Sequence, residues 1–427
     1  MASTQAVAPS GQSRIGPMII VGVLFFVCGF FTWLNGPLTI FVKLAFNLDD
    51  VSAFLIPVAF YLSYFVLALP SAVVLKRTGM KKGMGLSLVV MAVGAVLFGQ
   101  FINMSNYHGA LVGLFVIGAG LSLLQTAVNP YVSILGPIDS AARRVAAMGI
   151  CNKGAGALAP LVFGALVLSG IGDFEQRVKA APTPAAANAL LTHFASRVYW
   201  PYMAMAALLV LVAIWVVCSS LPEIKPSGAN DEHAIGHRGN SIFSFPHLWL
   251  GVLCLFLYVG VEVMAGDAIG IYGLALGLPL DATKHFTSYT MFAMLAGYLL
   301  GLALIPRFIS QQRYLAVSAV LGVLFTVGAY LTSGYASVYF VAALGFANAM
   351  MWPAIFPLAI KGLGRHTELG SALLIMGIVG AALLPQVFVH LKQYVNFQLA
   401  FALLMVPCYL YILYYGLRGH RVGQRAG

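Results

Sequence analysis

"GLSLLQTAVNPYVSILGP" occupies residues 120–137 and continues a long apolar run that begins near Gly109. Gln125, Asn129 and Pro130 interrupt it: two amides and a helix breaker in a stretch otherwise apolar enough for lipid. Hydrocarbon offers such groups no hydrogen-bond partner, so a lipid-facing helix has reason to exclude them. Gln125 and Asn129 are spaced i and i+4 and share one helix face, which Gly118 extends by a turn. Amides in membrane helices often act only as interhelical glue, at about 0.6 kcal/mol each. Two on one face, followed by a Pro that frees a backbone carbonyl, favour the wall of a polar cavity instead.

Composition sets the class. The chain has 427 residues, 61% hydrophobic and 8% charged, with a mean hydropathy of +0.93. A soluble domain of this size needs more polar residues to cover its surface, so the excess faces lipid. Runs long enough to cross a bilayer, about 20 residues each, fall at 17–42, 52–75, 84–103, 109–134, 145–170, 197–220, 246–276, 284–305, 314–333, 337–360, 368–391 and 396–417. The first run lacks a basic segment before it and a small-residue cleavage pattern after it, and reads as a retained helix. The five cysteines, Cys28, Cys151, Cys218, Cys254 and Cys408, lie inside apolar runs and read as small buried thiols.

A net charge of +11 raises the question of nucleic acid, but its distribution answers it. With the N-terminus placed inside, sixteen of the 23 Lys and Arg fall in inner segments, among them "LKRTGMKKG", "DSAARR" and "LRGHRVGQR"; six fall outside, and Lys153 lies within a span. That is the positive-inside bias of a plasma or inner membrane protein with both termini cytoplasmic. No nucleic acid is implied; the partners are the lipid bilayer and a small molecule, and the chain is expected to act as a monomer.

The polar stretch "LPEIKPSGANDEHAIGHRGNSIFSFP" divides the twelve runs into two sets of six. The expected organisation is a cytoplasmic tail at 1–16, a six-helix half at 17–220, a cytoplasmic linker at 221–245, a second half at 246–417 and a tail at 418–427. "VGVLFFVCGFFTWLNG" opens the first half and "LGVLCLFLYVGVEVMAG" the second, while "MGICNKGAGALAP" of span five is echoed by "MGIVGAALLP" of span eleven. Parallel repeats with a substrate held between them near the midplane are a transporter plan. The only long outer segment, 171–196, contains "TPAAANALLTHF", which reads as a short amphipathic surface helix.

Polar groups recur where a central cavity needs them. Span one has Asn35 beside Gly36 and Pro37, a place where the helix should bend. Asn152 and Lys153 lie in span five, with Gly149 and Gly156 allowing close approach of a neighbour; Tyr258 and Glu262 are i, i+4 in span seven; Asn348 and Trp352 are i, i+4 in span ten, before Pro353. Amide, hydroxyl and carboxylate groups with an aromatic plate suit a neutral polyol. Trp352 is the first stacking candidate and Trp33 the second, with core filling the alternative for each.

Lys153, Glu262 and Asp267 are ionisable residues within spans, each costing about 2.5–3.5 kcal/mol at a helix centre on the insertion scale. Glu262 reads as a sugar ligand or a cation-coupling group. Asp267, about 140° further around an ideal helix, would not share its site unless "MAGDAIG" breaks; a solvated position near the outer end is its plain alternative. Lys153 neutralises a carboxylate across the seam or stands in for an exchangeable cation. The nine His show no metal-ligand spacing, and no G-x-S-x-G, phosphate loop or paired-acid motif is present, so no enzyme and no cofactor are indicated. Gly297 and Gly301 form a GxxxG in span eight, a close-packing signal.

The strings "QTAVNPYVSILGP", "MGICNK" and "FLYVGVEV" resemble the glucose/galactose branch of the fucose–proton symporter family, within the major facilitator superfamily. The resemblance covers nearly the whole chain and is most specific over 118–160 and 255–266. It implies an all-α integral membrane protein in the major facilitator fold, two pseudo-symmetric six-helix halves, and uptake of a hexose by alternating access, coupled to H⁺ or Na⁺. It places Gln125, Asn129, Asn152 and Glu262 at the sugar, with Asn35 and Trp352 aligned less securely. The fucose branch carries a carboxylate after the span-one Asn and another at the Gln125 position; here these are Gly36 and Gln125. Asp267 stands where a small hydroxyl residue is more usual in the glucose/galactose branch. Glu262 and Asp267 are then the carboxylates left for coupling. An uncoupled uniporter is the close alternative; a drug-efflux antiporter, which wants a more apolar cavity, and a non-transporting sugar sensor are the others.

Overall fold

The structure, a computed structural model, describes residues 15–134, 141–222, 241–305, 307–363 and 366–423. Those residues are helical throughout, and twelve helices or helix pairs are long and apolar enough to cross a membrane. In chain order these spans are Gly16–Ala45, Asp50–Thr78, Met80–Asn103, Tyr107–Asn129, Ala147–Leu166, Pro184–Cys218, Pro246–Gly266, Leu280–Leu304, Gln311–Leu331, Gly334–Ile360, Leu369–Leu391 and Phe397–Leu417. Large apolar side chains such as Leu211 and Leu324 are turned outward, as lipid-facing surfaces require. An even number of spans brings both chain ends to one face. Most of the expected linker and the two extreme tails lie outside the described residues.

The packing repeats itself between the halves of the chain. Spans two and four, three and four, three and six, and one and five pack as pairs in the first six; eight and ten, nine and ten, nine and twelve, and seven and eleven do so in the last six. Adding six to each number maps the first set onto the second. The seam between the sets is formed where span five meets span eight and span two meets span eleven, again one relation seen twice. Helices Phe174–Lys179 and Pro184–Ser196 follow span five; the latter stands where the surface helix was expected, packs on spans one and three, leads into the Tyr199–Cys218 helix of span six, and is capped by Thr183 Oγ1 accepting from the Ala186 N–H at 3.2 Å.

Several spans lining the seam are interrupted. Span one breaks at Leu34, between Ile15–Trp33 and Asn35–Ala45, as the Asn-Gly-Pro string requires. Span ten breaks at 349–350, and span eleven passes through a tighter turn at Gly377–Val379. Span seven ends at Gly266 and resumes at Ile269. There Asp267 and Ala268 both donate their N–H to Val263 O, and across the break the carbonyls of Ala265 and Gly266 receive no N–H from Ile269 or Gly270. Thr290 and Thr287 of span eight replace them, each hydroxyl donating at 2.8 Å. Pro357 likewise leaves the Pro353 carbonyl without a donor, and the Gln311 amide supplies one at 3.2 Å. Span four is not interrupted: its helix runs unbroken from Tyr107 to Ile134 through Pro130, although Pro130 reads as a helix breaker.

Candidate functional site

A cavity of about 130 Å³ lies on the seam, lined from both halves. Gln125 and Asn129 of span four, Asn152 and Lys153 of span five, Tyr258 and Glu262 of span seven, and Trp352 with Pro353 of span ten all reach it. Span one adds Phe25, Cys28, Thr32 and Trp33; span two adds Tyr61 and Tyr64; span eight adds Tyr298. The i, i+4 pair that opens the sequence analysis therefore faces the cavity, and Gln125 Nε2 donates to Tyr64 Oη at 3.0 Å. Asn152 Nδ2 donates to the Phe25 carbonyl at 3.4 Å.

The cavity's centre is an ion pair across the seam. Lys153 Nζ lies 3.0 Å from Glu262 Oε1, and each side chain is 9% exposed. Tyr258 donates to the same oxygen at 2.7 Å, which leaves Oε2 without a hydrogen bond among the described residues. Lys153 also sits 4.3 Å from the ring centroid of Trp33, where the indole face supports a cation. Glycine makes this arrangement possible. A Cβ on Gly156 or Gly266 would come within 2.4 Å of the Trp33 ring, so the indole is clasped between span five and span seven. A Cβ on Gly29 would lie 2.0 Å from the Asn152 carbonyl, so spans one and five touch by backbone. Such a constellation offers amide and carboxylate acceptors, amide and ammonium donors, and flat apolar rings. Trp352, stacked on Phe356 at 5.9 Å, is one of those rings.

Three expected site residues stand outside the cavity lining. Asn35 is buried and gives its Nδ2 to the Thr32 carbonyl at 3.1 Å, satisfying a group freed by the break it follows. Asn348 is buried against span twelve, accepting from Tyr409 Oη at 2.9 Å. Asp267 is 2% exposed, so the solvated alternative for it is corrected. It lies at the break of span seven and accepts from Tyr61 Oη at 3.3 Å. Sequence reading missed Tyr61, Tyr64, Thr32 and Tyr298, all cavity residues. "YLSYF", which places two Tyr at i, i+3 in the middle of a membrane span, was the available signal.

On the face opposite the termini the seam is shut. Asp50, at the start of span two, bonds both Lys43 of span one and Lys392 beyond span eleven. Below this, Gly36 packs against Asp267 and Thr287, and Ser288 donates to the Ala157 carbonyl at 2.9 Å between spans eight and five. Of the cavity's lining, Asn129, Val145, Gly149 and Trp352 lie toward the termini ends of their spans.

A twelve-span membrane protein whose two repeats enclose a polar cavity at their seam is a solute transporter rather than an enzyme. The chain belongs to the Major Facilitator Superfamily, whose sequence model matches residues 21–385. It is 33% identical over 417 residues to a glucose/galactose transporter of Brucella abortus, covering 96% of each chain. It is 30% identical over 390 residues to the L-fucose-proton symporter of Escherichia coli, covering 88% of this chain and 87% of that one. Among solved structures it superposes on the transporter FucP in its outward conformation with a TM-score of 0.75 at 27% identity, over 97% of this chain and 100% of that one. An inward-facing bacterial homologue of the lysosomal transporter Spinster shares the fold at a TM-score of 0.63 and 15% identity.

Proposed function

We propose that the protein imports a neutral hexose, glucose or galactose first, by alternating access, and that it does so as a symporter driven by H⁺ or Na⁺ across the cytoplasmic membrane. The convergence of Gln125, Asn129, Asn152, Glu262 and Trp352 on one cavity carries this reading. Hexose hydroxyls take paired hydrogen bonds from amides and a carboxylate, while an aromatic ring covers the C–H face. The names of the relatives, glucose/galactose transporter and L-fucose-proton symporter, support both the sugar and the coupling.

In this reading both termini and the 221–245 linker are cytoplasmic, the halves span 17–220 and 246–417, and the protein works as a monomer. The inner cavity faces the cytoplasm. Asn35 and Asn348 shape the broken spans and do not hold sugar. Glu262, Asp267 and Lys153 are the charged groups available for coupling.

The test is labelled glucose uptake into proteoliposomes held inside-negative, with pH and Na⁺ varied separately. A potential of 100 mV is worth about 2.3 kcal/mol per charge, roughly a fiftyfold concentration ratio. Accumulation toward that ratio is expected. Uptake that stops at equal concentrations makes the protein a uniporter, and no hexose uptake under any gradient overturns the reading.

A further inference from the structure

Two carboxylates of span seven lie five residues apart, and only one has a cationic partner. Asp267 is held in the closed part of the seam, away from the cavity lining. Tyr61 of span two donates to its Oδ2 at 3.3 Å, while Oδ1 makes no side-chain or backbone hydrogen bond of ordinary geometry. From span one, the backbone amide of Gly36 lies beside the carboxyl. From span eight, Thr287 faces it, but that hydroxyl is committed to the Gly266 carbonyl. The charged neighbours are Glu262 on its own span and Lys153 on span five, and these two neutralise each other. Gly36 lets the walls close on bare backbone: a Cβ there would meet Thr287 Oγ1 at 2.5 Å and Asp267 Cα at 3.1 Å.

A carboxylate sealed from water with no counter-ion takes a proton or prevents the seal from forming. We propose that Asp267 is the proton-binding site of the transport cycle and that its protonation permits the seam to close on the face opposite the termini. The inference rests on the symport reading and narrows its coupling ion to H⁺. When the seam is open, hydronium from that side delivers one proton to Oδ1, giving a neutral acid and water. The seam then packs as the structure has it.

Tyr61 touches both Asp267 and the cavity, which gives the proton its exit. Once the Tyr61 hydroxyl turns from Oδ2 toward cavity water and the carboxyl rotates its O–H to the Tyr61 side, the acid passes its proton to the Tyr61 oxygen while the Tyr61 proton moves to a cavity water; carboxylate and hydronium are left, so one proton enters at one face and one leaves at the other. The returned carboxylate, once charged, favours reopening. Glu262, paired with Lys153, holds sugar in both steps.

The experiment uses the full-length protein in proteoliposomes loaded with a pH-sensitive dye, with glucose as the probe. Wild-type protein should acidify the lumen when glucose is added outside and accumulate glucose under a proton gradient. Asp267→Asn, permanently neutral, should keep glucose counterflow but lose lumen acidification, with the accumulation ratio falling to one. Asp267→Asn that still couples protons to glucose overturns the inference, as does wild-type accumulation that requires Na⁺ instead. Wild-type exchange without proton movement overturns it too, while leaving the hexose reading intact; absence of any hexose movement overturns that reading itself. Should Asp267→Asn fail to fold, the wild-type protein supplies the answer through a hydrophobic carbodiimide, whose nitrogen takes the proton of a buried carboxylic acid while the carboxyl oxygen adds to its central carbon. Labelling mapped to Asp267 and rising as pH falls is expected; an unlabelled Asp267 at every pH overturns the proposal.

Discussion

Glu262 and Asp267 share a helix, a residue class and a place near the seam, yet their surroundings differ in kind. Glu262 faces a cavity, holds an ion pair of 3.0 Å with Lys153 and keeps one oxygen open to that space. Asp267 sits where span seven breaks, packed against spans one, two and eight, with a tyrosine hydroxyl in place of a cation. One region is built to hold a polar solute and the other to exclude water. A transporter needs both, because the site binds only if solute reaches it and works only if one door is shut. Carboxylate identity alone therefore says little about role; the neighbours decide.

The largest effect should follow from breaking the Glu262 side of this comparison. Glu262→Gln leaves Lys153 buried without its anion, and removal of one partner from a buried pair costs about 3–5 kcal/mol. We expect hexose affinity to fall at least a hundredfold, measured by glucose binding to purified protein. Retained binding and exchange with loss of concentrative uptake would move Glu262 from sugar ligand to coupling group, and would blur the contrast with Asp267. Lys153→Met combined with Glu262→Met should recover folded yield, since replacing both charges removes the unpaired one. It should not recover binding.

The cavity amides come next. Gln125→Ala and Asn129→Ala each remove a hydrogen-bonding group from a site otherwise matched to hydroxyls, at about 1–3 kcal/mol apiece. Glucose transport should fall by one to two decades while the amount of folded protein in the membrane is unchanged. Full transport in both variants would sink the cavity-wall reading. Trp352→Ala should cost less, about tenfold in affinity, with Trp352→Phe restoring most of it.

How much of this was legible beforehand follows from the range of the signals. Span number and class needed only local hydropathy. Gln125 with Asn129, and Tyr258 with Glu262, needed only helical periodicity; the cost of an intramembrane charge suggested that Lys153 neutralises a carboxylate across the seam, but only the structure identifies that carboxylate as Glu262. Asn348, paired with Trp352 by helical periodicity, does not reach the cavity because span ten breaks after it; at Asn35 the break itself was expected, and what the sequence does not carry is where the side chain turns. Both sit beside breaks, and Asn35 turns back to the Thr32 carbonyl at 3.1 Å. For Asp267 a solvated place near the end of its run was the alternative to a coupling role; spans one, two and eight bury it, contacts that local pattern does not carry. Tyr61, Tyr64 and Tyr298 went unnoticed among 19 tyrosines because their spans carry none of the amides or charges that mark the others. Pro130 reads as a helix breaker, yet the span-four helix absorbs it and continues to Ile134.

The smallest expected effect lies at the outermost edge of the closed region. Asp50 is shared by Lys43 of its own half and Lys392 of the other, with side-chain exposures of 22%, 28% and 17%. Charges that wet are screened, so the bridge contributes about 1 kcal/mol or less. That is still a shift of up to roughly fivefold between closed and open seams. Lys392→Glu should push the halves apart at this face, raising the accessibility of an introduced cysteine at Thr39 to a membrane-impermeant thiol reagent by a few-fold. The exchanged pair Asp50→Lys with Lys392→Asp should bring it partly back. Raising salt should shrink the difference between wild type and Lys392→Glu, because exposed pairs weaken over a Debye length of about 10 Å at 0.1 M. Asp267→Asn should instead favour closure at any salt, since its effect arises where no ion reaches. Salt dependence thus separates a latch at the surface from a switch in the seam, and a seam response that tracked ionic strength would assign both effects to the latch.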